Sequence, residues 1–560
     1  MQSKNELSAV TRTLGWFSLA LMVGTLAGCS GGSSESSTVN GDVAIAYVKR
    51  PVGSLGNPTD AMMFTAGGDL YMREKSSPTA TETNITGSMT QGRGDVSDPE
   101  VSYDGSKLLF SMRCDTGASS SCLGPQDTGR WRIWEYTISN NSFRRIRCDA
   151  GAGTGTPDGD DVDPAYLPDG RIVFASNRQV TSQLVNGFAY LDEYERERVT
   201  ALHVMNADGG SCRQISFNQS HDRNPTVLQT GEVMYSRWDH VGGRNQFSIF
   251  FTNPDGTNMF VLYGAHSPGN SYLHPREMPN GQVMSSLMPL SRTREGGALM
   301  VIDIKNYSEN HEPAPGVSSG GNGQHQPTAQ EVNFGQGTST YGRYSTPYPL
   351  WDGTNRALVS WTPSCVATNS CTMTTNPLTG APQNSETTPV YGVYMLDLNT
   401  RTTRPVVTAP IDANGRPTHS VLDPVAIQPR PVPNIISDKD LSTTTGAGGA
   451  NLSVNNRGIL NVKSVYDTDS QGRMGNNVLV GTENIPTTGG VANIATLKNP
   501  QLTTASQRPA RFVRITRAVP TQSGISRELI GETDFEMQQI LGYTEVERIV
   551  CFRKELTKEA

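Results

Sequence analysis

The side chains able to do chemistry are few and scattered. Four histidines, His221, His240, His266 and His274, fall within one 54-residue stretch, and imidazole nitrogens are common ligands of transition metals. They are the candidate metal set, provided that the fold brings them together. Asp158, Asp160, Asp161 and Asp163 in PDGDDVDP have the oxygen density that calcium favours, without the spacing of an EF-hand loop. Aspartates also build turns by bonding nearby backbone, which is the expectation here. Gly316-Val317-Ser318-Ser319-Gly320 has the nucleophile-elbow pattern, which needs a strand before the serine and a helix after it. Its surroundings, EPAPGVSSGGNGQHQPTAQ, are rich in Gly, Pro and Gln, so no catalytic residue is assigned and no enzymatic activity is expected of this chain. None of the eight cysteines stands in a Cys-x-x-Cys-His motif, so no haem or other cofactor is expected in it.

The elements that hold these groups come from a repeat. A proline is followed six residues later by a glycine at Pro99/Gly105, Pro164/Gly170, Pro225/Gly231, Pro275/Gly281 and Pro347/Gly353. An apolar run follows each pair: KLLFSM, RIVFAS, EVMYSR, QVMSSL and RALVSW. The proline sets φ and removes a donor, and the glycine supplies the positive φ of a tight turn. Later in each unit come hairpins such as LHVMNADGGSCRQI and IFFTNPDGTNMFVL, with Asp208-Gly209 and Asp255-Gly256 at their tips. About four short strands per unit, recurring at a propeller-blade period, predict a β-propeller. The stretch AIAYVKR to DLYMREK to TETNITG has the same strand order without the proline. That makes six blades, five marked and one atypical because it closes the ring. With 57 Gly and 34 Pro against 18% charged residues, the composition suits turn-rich β structure. The fold class is therefore all-β.

The propeller is expected over residues 42–422. A Pro/Gly/Ser-rich connector over 423–455 includes DPVAIQPRPVPNIISDKD, and a smaller β-rich, sandwich-like domain over 456–547 includes GILNVKSVYD and ARFVRITRAV; residues 548–560 form a divergent tail. At the other end, Lys4 and Arg12 precede LGWFSLALMVGTLA and then Leu26-Ala27-Gly28-Cys29. This is similar to a bacterial lipoprotein signal, which implies a signal peptide over 1–28, lipidation of Cys29, a flexible tether over 29–41 and, from Ser30, an outer-membrane address. The protein would face the periplasm or the cell surface. Export makes disulfides possible: Cys114 with Cys122 and Cys365 with Cys371 close short loops, Cys148 and Cys212 are a further candidate pair, and Cys551 is left over. A net charge of −7 argues against nucleic acid as a partner.

DVSDPEVSYDGSKLLFSMR and DVDPAYLPDGRIVFASNR resemble TolB-like propeller blades. DRNPTVLQTGEVMYSRWDH, DPVAIQPRPVP, ILNVKSVYD, RPARFVRITRAV and ILGYTEVE together resemble the hydrazine synthase alpha subunit and its relatives over about residues 42–547. The resemblance implies a six-bladed TolB-like propeller followed by the β-rich domain. Members with redox function carry c-type haem downstream of ILGY, and this chain ends 13 residues after Glu547. Two functions follow as expectations. One is a membrane-anchored binding or scaffold module, whose propeller loops take a protein or peptide. The alternative is the haemless part of a multihaem redox protein, docking partner subunits, with the c-type haem in a missing C-terminal domain.

Overall fold

The computed structural model describes residues 41–439 with breaks in the loops, the longest at 149–158, 179–190 and 364–373. From 440 onward it describes residues 473–474, 477–478, 487–488, 491–492, 501–502, 513–517 and 544–550. Six four-stranded antiparallel sheets follow one another around a ring. Blade 2 runs Gly94–Val101, Lys107–Cys114, Trp131–Thr137 and Ser142–Ile146 from the centre outward. Blades 3 to 6 repeat this, with innermost strands Asp161–Tyr166, Asp222–Val227, Asn270–Glu277 and Arg343–Pro349. The middle strands carry continuous apolar runs, such as Ile172–Ser176 and Ala298–Ile302, buried along their whole length because each blade packs between two others.

Blade 1 is built from both ends of the propeller. Its outer three strands are Ile45–Pro51, Asp69–Arg73 and Glu82–Asn84, while its innermost strand is His419–Ala426. Pairs such as Ile45↔Ala426 and Lys49↔Val421 close the ring. The boundary expected at 422 therefore falls inside a strand. The atypical first copy does have the proline marker, as Asp423-Pro424, supplied from the far end of the chain.

This topology gives the propeller two unlike ends. In blades 2 to 6 the innermost strand leads into the second through a tight turn, closed at Gly105, Gly170, Gly231 and Gly281 by their N–H groups bonding back three residues. Those turns form one face. The long loops between second and third strands, and those that feed the next innermost strand, form the other. Beyond Ala426 the chain runs over the turn face. Arg430 N–H donates to Tyr103 O at 2.9 Å, Asn434 N–H to Gln229 O at 3.0 Å and Lys439 N–H to the Asp255 carboxylate at 2.8 Å. Asp438 is bound by Arg171 at 2.9 Å and Arg213 at 2.6 Å. The connector is thus docked across blades 2, 3 and 4 at least as far as Lys439. Further on, Val513–Arg517 pairs with Thr544–Val550, a strand that continues past residue 547.

Candidate functional site

The innermost strands place one polar residue each at the waist of the central channel: Asp423, Asp98, Asp163, Asn224, His274 and Thr346, in order around the ring. Each immediately precedes a marker proline, and in every blade the pairing register shifts at that point, so each is a bulge. Five of the six have φ between 50° and 54°. Asp, Asn and His are the non-glycine residues that tolerate this region best, and those are the types at the five positions. Thr346, the β-branched member, is not among the positive-φ residues.

A bulge leaves backbone N–H groups without ladder partners, and the ring side chains accept them. Asn224 N–H donates to Asp163 Oδ2 at 2.9 Å, His274 N–H to Asn224 Oδ1 at 3.2 Å and Asp423 N–H to Thr346 Oγ1 at 3.0 Å. The Asp423 carboxyl accepts in turn from the Asp98 backbone. Each of these bonds joins neighbouring blades.

Groups reach across the channel at both ends. On the turn-face side Glu100 of blade 2 bonds Arg276 of blade 5, diametrically opposite, and its second oxygen takes Arg430 of the connector. On the long-loop side, segment 52–65 crosses the mouth. Arg223 Nη1 donates to Pro58 O at 2.8 Å, Thr65 N–H to Asp95 Oδ2 at 2.9 Å and Ala61 N–H to Glu197 Oε1 at 2.6 Å. Arg50 holds Asp95 through bonds of 2.9 and 2.6 Å, and Arg223 holds Glu295 at 2.9 Å. Two cavities of about 40 Å³ each remain, one on either side of the ring. That is room for water-sized occupants, far below an organic ligand's pocket.

The electrostatics are uneven. Asp423, Asp98 and Asp163 sit on consecutive blades and form an acidic arc. Burial, then the neighbouring Asp98, push the Asp423 carboxyl up to about 7. The same two causes hold Asp163 well above the usual carboxylate range, and its carboxyl is hydrogen-bonded to that of Asp98. Burial, with Arg223 nearby, lowers His274 to about 3, so its imidazole is neutral.

Of the four candidate histidines the structure describes the side chains of two, His274 and His221, and places them at different sites. His274 lies in the channel. His221, fully buried beside Trp238, has Nε2 3.7 Å from both Asp192 Oδ2 and Glu197 Oε1. Ligand atoms of these three residues lie within 4.8 Å of one another. The chemistry does not suit a metal: His221 Nδ1 accepts the Thr200 backbone N–H at 3.1 Å, which makes Nε2 the protonated nitrogen, whereas a ligating histidine donates from its other nitrogen. His240 belongs to the strand Val233–Val241, with its side chain outside the described residues, as is His266 altogether.

Asp158 lies outside the described residues, and the other three aspartates of PDGDDVDP are not in a turn. Asp161 and Asp163 belong to an innermost strand, and the run splits between partners: Asp160 accepts the Trp131 N–H at 2.9 Å, Asp161 pairs with Arg178 at 2.6 Å, and Asp163 joins the ring. Cys114–Cys122 and Cys148–Cys212 are disulfide-bonded. Cys29, Cys365, Cys371, Cys551 and Ser318 lie outside the described residues. Sequence reasoning missed the ring, although its signal was present: the residue before each marker proline is Asp, Asp, Asn, His, Thr or Asp.

No protein-family model matches this chain, nor does any curated protein. Among solved structures it is similar to hydrazine synthase from Kuenenia stuttgartiensis, with 16% identity and a TM-score of 0.48, over 70% of this chain and 48% of that one. It is also similar to TolB from Acinetobacter baumannii, with 13% identity and a TM-score of 0.35, over 68% and 66%. A putative TolB from Agrobacterium tumefaciens has 10% identity and a TM-score of 0.34, over 68% and 98%. This chain spans about half the length of the hydrazine synthase chain. Both groups suggested by the blade motifs are among the similar structures, and the fold is a six-bladed β-propeller.

Proposed function

We propose that this chain is an exported, membrane-anchored binding or scaffold protein that presents the long-loop face of its propeller to a protein or peptide and performs no catalysis itself. The small volume left in the channel, two cavities of about 40 Å³ each, carries this reading. With Glu100, Arg276 and Arg430 across one end and segment 52–65 across the other, recognition falls to the outer surface. The turn face is engaged: the first strand starts there, since Ile45 pairs with Ala426, and the connector leaves along it. Among the described residues the long-loop face carries exposed apolar side chains, among them Phe217 at 57% and Ile411 at 66%. The two disulfides suit an oxidising compartment. Among the described residues no helix is long and apolar enough to cross a membrane, and attachment is assigned to lipid on Cys29.

Photo-crosslinking in cells tests this. A crosslinking residue at Phe217 or Ile411 should give one discrete adduct, and the same residue at Asn280 on the turn face should not. Adducts at Asn280 alone, or none anywhere, would refute the assignment of faces. In the same cells Cys29→Ser should move the protein from the membrane to the soluble fraction; retention in the membrane would refute the anchor.

A further inference from the structure

Three arginines line the channel cavities, and each already has a carboxylate of its own: Arg50 has Asp95, Arg223 has Glu295 and Arg276 has Glu100. The acidic arc feels the charges of Arg223 and Arg50 from a distance. Among the described residues no cationic side chain forms an ion pair with Asp423, Asp98 or Asp163. Two of these three, Asp98 and Asp163, bring their carboxyl groups into hydrogen-bonding reach of each other. Two carboxylates in contact need a positive charge between them, either a proton or a metal ion.

Other groups point to what that charge is. The hydroxyl of Ser54, a residue only 1% exposed, has no hydrogen-bond partner, and neither does the buried Nε2 of His274. Both residues line the cavity that also holds Asp98, Asp163 and Asp423. Buried polar atoms without partners are rare in folded proteins, and two of them beside an acidic arc that has no ion pair of its own call for a polar, cationic occupant. A cavity of about 40 Å³ has room for water-sized species only. Carboxylates, a hydroxyl and retained waters are the shell that magnesium and calcium take.

We propose that a partly hydrated, hard divalent cation sits between Asp98 and Asp163 at the channel waist, its waters reaching Asp423, Ser54 Oγ and His274 Nε2. The ion would bridge blades 2 and 3 directly and blade 1 through water. It would thus add a second tie beside the seam where His419–Ala426 closes the ring.

The test uses the full-length protein stripped with EDTA and desalted, then titrated by calorimetry with calcium chloride and, separately, magnesium chloride, with thermal unfolding in parallel. Saturable binding of one ion per chain and a raised Tm are expected for at least one of the two salts. Asp163→Asn keeps the side-chain size and an acceptor for the Asn224 N–H, so it should fold, and its affinity should fall by at least about tenfold; Asp98→Asn provides the same reading if Asp163→Asn does not fold. Asp192→Asn, at the His221 cluster, should bind as the unaltered chain does. The proposal is overturned if the folded chain binds neither ion saturably, if the ring variants bind unchanged, or if binding is lost in Asp192→Asn instead.

Discussion

The two faces of the propeller are made by different rules. On the turn face the same short connection from innermost to second strand recurs in blades 2 to 6, each with a glycine at positive φ, and the connector is strapped over blades 2 to 4. The long-loop face carries loops of unequal length, a segment folded over the channel mouth and the His221 cluster. One face is imposed by strand geometry, so its copies match. The other is released from that geometry and holds what individualises the molecule. Two of their ion pairs contrast: Arg50–Asp95 at the long-loop end is buried, whereas Arg171–Asp438 on the turn face is open to water.

The largest effect should come from breaking that last contrast. Arg50→Met strands Asp95, fully buried, without a counterion, at a cost of about 3–5 kcal/mol. Arg171→Met should cost under about 1 kcal/mol, since Asp438 remains solvated. Equal losses in urea unfolding would remove the distinction between the faces.

A smaller effect separates turns that look alike in sequence. A Cβ on Gly231, at φ +103°, would lie 2.4 Å from Asn434 O of the connector, whereas one on Gly281, at φ +79°, meets nothing within 4 Å. Both substitutions strain the backbone, but only Gly231→Ala must also displace the connector. It should cost about 2 kcal/mol or more, against about 1 kcal/mol for Gly281→Ala. If the two variants melt alike, the connector is not held where the structure puts it.

A pH-dependent effect lies between the faces, inside blade 3. His203, fully buried against Phe174, donates from Nδ1 to Ala201 O at 3.0 Å, and burial lowers it to about 3. In the unfolded chain it takes a proton below about 6.5. Its contribution is therefore complete above that pH and is lost as the pH falls toward 3, by at most about 1.4 kcal/mol per pH unit. His203→Leu should lack this component, so the stability difference between the two proteins should change as pH falls through that window. A difference independent of pH would mean that His203 is not held neutral.

Much of the ring could be read from residues alone, because the features that make it are local. Proline removes a donor and glycine supplies a positive φ within a few residues of chain, so the marker at Pro99/Gly105 and its copies announces strand, turn and strand wherever it stands. The Cys114–Cys122 pairing was legible for the same reason, being only eight residues apart. The waist was only half legible. The preference of Asp, Asn and His for positive φ explains the residue types before the prolines, but nothing in DVSDP or DVDP announces that the two aspartates will face each other.

What the sequence by itself determined is thus the period, the strand order and the conformation of each turn, all set by steric rules that act over a few residues. Only the tertiary structure decided which distant groups share a space. Asp423-Pro424, apparently part of a connector, completes blade 1; Glu100 meets Arg430 across 330 residues of chain. His274 and His221 do not share a space, since His274 faces the channel while His221 is locked by Thr200. Ring closure is the physical reason. It joins the two ends of the propeller and sets six innermost strands around one axis, so the neighbours across that axis depend on the number of blades and not on any local spacing.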